Sequence, residues 1–161
     1  MRPSHVPLRL ATGAFILNAG LGKRDIDPDS AAGLQGMAAG AFPQLGKMPP
    51  EQFGKLVSTG EMALGAALLA PFVSPLMAGA ALTAFSAGLL SMYLKTPGMT
   101  ESDGIRPTEA GTPVAKDVWM LGAGLALVVD GLLDDAKDAA KSTRKVVRQQ
   151  AKAARKALPV G

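Results

Sequence analysis

Glu61 is the single charged residue in a long apolar stretch, VSTGEMALGAALLAPFVSPLMAGAALTAFSAGLLSMYL, from Val57 to Leu94. A carboxylate placed there either handles a proton or a ligand, or neutralises a nearby cation, because a lone charge in an apolar helix is costly. Lys23 and Lys116, the latter followed by Asp117, are the charges able to meet it. These four residues form the candidate polar pocket or ion pair at one end of a helical bundle. Arg9 and Asp130, also set in apolar runs, make a second expected ion pair at the other end.

The chain offers little else for catalysis, and no catalytic residue is assigned. It has no cysteine, so it can form no disulfide and no thiolate ligand, and a single histidine, His5, argues against a self-contained transition-metal site. Neither a phosphate-binding loop, a zinc-protease motif, a nucleophile elbow nor a dinucleotide fingerprint occurs.

Four apolar runs position these charges. The composition is 48% hydrophobic over 161 residues, with charge crowded toward the C-terminus rather than spread. That partition predicts an all-α, integral membrane four-helix bundle with spans at about 7–23, 55–71, 75–94 and 115–133. The first run also fits a secretory signal peptide, with Arg2 and Arg9 ahead of Leu10–Leu17 and small residues at Ala19–Gly22. Pro71 and Pro75 bracket a tight turn between the second and third helices. Residues 24–52 form a loop carrying a short helix capped by Asp29 or Ser30, ended by Pro43, and lying on the bundle or at the interface. The linker from Lys95 to Pro113 is polar and rich in turn residues. Thr112 caps and Pro113 opens the fourth helix, where Trp119 is placed as an interfacial anchor level with Tyr93. Asn18 and the recurring small residues Gly13, Gly20, Gly79, Thr83, Ser86, Gly124 and Gly131 are expected at helix–helix contacts.

Beyond Leu133 the helical pattern continues into a tail, 134–161, treated as a cytoplasmic unit. Lys137, Lys141, Arg144, Lys145, Arg148, Lys152, Arg155 and Lys156 fall within a sector of about 120° on a helical wheel. Such a basic amphipathic helix suits anionic lipid or an acidic protein partner. Nucleic acid is disfavoured, since no aromatic residue interleaves the stripe. The positive residues at both termini place them in the cytoplasm, with the bundle in the cell membrane.

The run RLATGAFILNAGLGK and the stretch STGEMALGAALLAPFVSPLMAGAALTA resemble the DoxX family of small bacterial and archaeal membrane proteins. Arg9, Gly20, Gly22 and Lys23, then Gly60 and Glu61, then Pro71 carry the resemblance, which covers about residues 7–133. It implies a four-helix membrane bundle. Some members are subunits linked to thiosulfate and quinone oxidation, and others accompany redox enzymes at the membrane. The expected function is therefore an accessory subunit of a membrane-associated, redox-linked complex, with no activity alone. The alternatives are a subunit that binds a quinone or small anion near Lys23 and Glu61, and a small transporter.

Overall fold

The computed structural model describes residues 3–157, with side chains described as far as Lys152. Every regular element among them is helical: α1 (His5–Gly22), α2 (Pro28–Ala41), α3 (Pro50–Leu69), α4 (Pro75–Lys95), the single turn α5 (Thr112–Ala115) and α6 (Val118–Ala157). A 3₁₀ turn, Pro43–Lys47, follows α2, and an isolated antiparallel bridge joins Thr100 to Pro107.

Local chemistry sets most boundaries. Asp27, rather than Asp29 or Ser30, caps α2 by accepting from the Ser30 amide, and Pro28 supplies the first helical residue. That hydrogen bond holds the Asp27 carboxyl below the ordinary carboxylate range. Ser74 caps α4 through the Met77 amide, again with proline next in sequence. The fourth predicted helix is not continuous from Thr112. Gly111 stands at the N-cap of α5, and the chain turns at Lys116 and Asp117 before α6 begins. From Val118 onward it is one helix of 40 residues with no break at Leu133.

The core is assembled as two antiparallel helix pairs, α1 with α3 and α4 with α6. Ile16, Leu64, Leu68, Ala78, Leu82 and Leu127 form the shared apolar centre. Missing side chains allow the close approach within each pair. A Cβ on Gly65 would lie 2.6 Å from the Leu17 backbone nitrogen, and one on Gly79 would lie 2.7 Å from the Gly124 carbonyl oxygen. Small residues at these contacts let the helix backbones approach closely. α2 lies across α3 and α4, held by Lys95, whose ammonium donates to the Ala41 carbonyl at 3.3 Å and sits 5.9 Å over the Phe42 ring.

By length and composition one of the described helices, α4, is long and apolar enough to cross a membrane. The other three expected spans fall short because of the charges they carry: Arg9 in α1, Lys55 and Glu61 in α3, and Asp130, Asp134 and Asp135 in α6. Two of these, Arg9 and Glu61, are buried.

Candidate functional site

Lys23 follows the last residue of α1, and Glu61 stands in the middle of α3. Antiparallel packing brings them together: the Lys23 ammonium donates to Glu61 Oε2 at 2.9 Å and Oε1 at 3.1 Å, and to the Ala19 carbonyl at 3.3 Å. The Glu61 side chain is 8% exposed and that of Lys23 29%. Beside them Ser58 donates to the Gly20 carbonyl at 2.8 Å, a bond enabled by the bare face of Gly20, where a Cβ would meet Met62.

The pair borders a cavity of about 530 Å³ between the two helix pairs. Its size falls within the range of small-molecule sites. Its walls are chiefly apolar: Phe15 of α1, Phe42 just after α2, Phe53 of α3 and Phe85 of α4 contribute aromatic rings. Lys116 and Asp117 also border it, so Lys23, Glu61, Lys116 and Asp117 share one space. The turn that separates α5 from α6 is what directs the last two there. A second, smaller crevice of about 380 Å³ opens between α3 and α4 and has Leu56, Val57, Glu61 and Phe85 in common with the cavity.

The opposite end of the bundle is arranged differently from the expected Arg9–Asp130 pair. Arg9 is 1% exposed and grips backbone: Nε donates to Leu68 O at 2.7 Å, Nη1 to Val73 O at 3.0 Å, and Nη2 to Ala67 O at 2.9 Å and Ala70 O at 2.8 Å. The reason lies in Pro71, which has no N–H to return to the Ala67 carbonyl, while the turn beyond it leaves further carbonyls at the end of α3 without helical donors. A guanidinium, with five donors in a planar fork, satisfies several at once. Asp130 instead meets His5, with Nε2 and Oδ2 2.9 Å apart. This contact ties α1 to α6 and so joins the two pairs at that end.

Other expected positions resolve in varied ways. Trp119 is 77% exposed, whereas Tyr93 is buried and its hydroxyl donates to the Ile105 carbonyl at 2.6 Å, anchoring the linker instead of marking an interface. Asn18 is exposed on α1 rather than placed between helices. Lys137, Lys141, Arg144, Lys145, Arg148 and Lys152 are exposed along α6, Lys141 pairing with Asp138 at 3.0 Å. The side chains of Arg155 and Lys156 lie outside the described residues.

Sequence reasoning missed His5 as a partner for Asp130, the Ser58 bond and Gln35, which secures the segment after α2 by donating to Leu45 O at 2.7 Å and Met48 O at 2.6 Å. Pro71, just past the end of α3, was the available signal for Arg9, since it announces carbonyls that need a donor. No known family model, curated protein or solved structure matches the chain.

Proposed function

We propose that the chain is an integral membrane helical bundle serving as an accessory subunit of a membrane-associated complex, with the projecting basic part of α6 as the arm that holds a cytoplasmic partner or anionic lipid. One observation carries this reading: two ionisable side chains are buried while several of the largest apolar side chains face outward. Arg9 and Glu61 are buried while Phe15, Phe72, Met77 and Trp119 are between 59% and 88% exposed. Water would favour the reverse, whereas lipid solvates the rings and drives the charges inward. Arg9 and Glu61, which lower the hydropathy of α1 and α3, are thus charges that lipid need not solvate, while Lys55 stays exposed on α3. A redox setting for the complex rests on the DoxX resemblance.

The test uses the absence of native cysteine. Single reporters, Ser102→Cys in the α4–α5 linker and Ser142→Cys in the tail, are exposed to a membrane-impermeant maleimide in intact cells. Labelling at 102 and protection at 142, with the chain resisting alkaline extraction, are expected. Equal labelling at both, or release by alkali, overturns the membrane reading. Deleting residues 137–161 should then leave insertion intact and remove a co-purifying partner or binding to anionic liposomes.

The cavity favours a second reading, a subunit that binds a quinone or small anion beside Lys23 and Glu61. Glu61→Gln separates the two. Loss of turnover in a normally assembled complex supports the binding reading, while assembly and activity that fail or survive together support the accessory one.

A further inference from the structure

The cavity and its side crevice hold more information than the presence of a pocket. The four charged residues around the cavity sum to zero, Lys23 and Lys116 against Glu61 and Asp117. A charged head brought into this apolar space would lose its hydration with no net opposite charge to replace it. Glu61 nonetheless keeps acceptor capacity, because a carboxylate offers about four lone-pair sites and Lys23 donates to each oxygen once. The unmet need at this wall is therefore a hydrogen-bond donor on a neutral group. Aliphatic side chains with four phenylalanine rings among them line the remainder.

The crevice supplies a route. It opens between α3 and α4, is bordered by Leu56 and Gly60, both exposed, and shares Glu61 and Phe85 with the cavity. Polar lining is nearly absent along it, so it suits an acyl or alkyl chain rather than a hydrated solute. Resting on the membrane and ligand-binding readings above, we propose that the cavity takes a neutral, hydroxyl-headed amphiphile that reaches it sideways from the lipid between α3 and α4, its hydroxyl donating to Glu61. This narrows the ligand away from a small anion.

Two glycines make the idea testable without disturbing the fold. Gly88 borders the cavity and Gly60 the crevice, and a Cβ at either meets nothing within 4 Å. Gly88→Leu fills the cavity; Gly60→Leu obstructs the route alone. The full chain, reconstituted in liposomes recovered by flotation, is irradiated with a diazirine-bearing long-chain alcohol, and adducts are mapped by mass spectrometry. Expected are adducts at Phe53 and Phe42 that excess hexadecanol removes and excess hexadecyl sulfate, permanently charged, does not. Gly88→Leu should cut them at least tenfold, and Gly60→Leu should slow their appearance several-fold at an unchanged end point.

Each contrary result has its own meaning. A chain that does not float with the liposomes brings down the membrane reading and this one with it. A floating chain whose adducts at Phe53 and Phe42 simply follow those at Phe72, exposed in the α3–α4 turn, or survive Gly88→Leu, refutes the cavity as the site. Equal competition by hexadecyl sulfate refutes the neutral head, and an unslowed Gly60→Leu refutes the lateral route.

Discussion

The two helix pairs are built on the same close glycine contacts, yet only one is locked by polar bonds. Between α1 and α3 run the Arg9 grip on four carbonyls, the Ser58–Gly20 bond and the Lys23–Glu61 pair. Between α4 and α6, Thr83 and Ser86 bring hydroxyls into the interface, and among the described residues neither Oγ finds a partner. Sequence patterning alone does not separate these cases, since small and hydroxylated residues occupy comparable faces in both. The difference teaches that α1–α3 is specified by directional bonds and α4–α6 by shape.

Breaking the strongest bond should expose that contrast most plainly. Arg9→Met leaves four carbonyls at the end of α3 without this donor, and an unsatisfied buried acceptor costs about 1–3 kcal/mol. The expected loss is about 3 kcal/mol or more, read as a lowered unfolding midpoint in mild detergent. Arg9→Lys should recover only part of it, because an ammonium cannot span the same fork. A loss near zero would mean the carbonyls find other donors and the pair is not polar-locked.

Glycine substitution probes what the pairs share. Gly65→Ala and Gly79→Ala each push a methyl into backbone, so each should cost about 1–3 kcal/mol by overpacking. Comparable losses in the same unfolding assay support a common close-packing device; a large loss in one pair alone would show that the other relaxes freely.

Hydroxyl removal separates them again, on a smaller scale. Ser58→Ala deletes a made hydrogen bond and should destabilise by about 1 kcal/mol. Ser86→Ala deletes a buried hydroxyl that has no partner and should be neutral or stabilising by up to about 1 kcal/mol. Opposite signs are the sharpest form of the comparison, and equal losses would dissolve it.

The smallest expected effect lies in the linker joining α4 to α5. Arg106 and the amides of Ile105 and Arg106 hold the Asp103 carboxyl below its usual range. A depressed folded value means this local stabilisation is present above the unfolded pKa, about 3.9, and is lost as pH falls through the lower folded value. The amide resonances of residues 105 and 106 should move together in that acidic window, and Asp103→Asn should abolish the movement.

Much of the helical order was legible before the structure. Pro71 and Pro75 mark the α3–α4 turn, Pro50 opens α3, and the wheel of basic residues anticipates a helix beyond Leu133. Side-chain destinations were less legible. Arg9 and Asp130 carry opposite charge at one end of the bundle, but pairing by charge ignores the stronger demand of carbonyls stranded by proline. Local spacing cannot reveal that demand, because donor and acceptors are 58 to 64 residues apart. The aromatic walls of the cavity escaped notice for a similar reason. Phe15, Phe53 and Phe85 belong to three helices and Phe42 follows a fourth, so they show no common period.

The unbroken length of α6 has a mechanical consequence. It begins immediately after Lys116 and Asp117, at the cavity, and runs 40 residues, about 60 Å at 1.5 Å per residue. Roughly 36 Å of that follows Leu133, where it works as a lever arm. A tilt of about 5° within the bundle sweeps the far end through roughly 3 Å. Because no turn interrupts the helix, its start at the cavity rim and its far basic end belong to one continuous element.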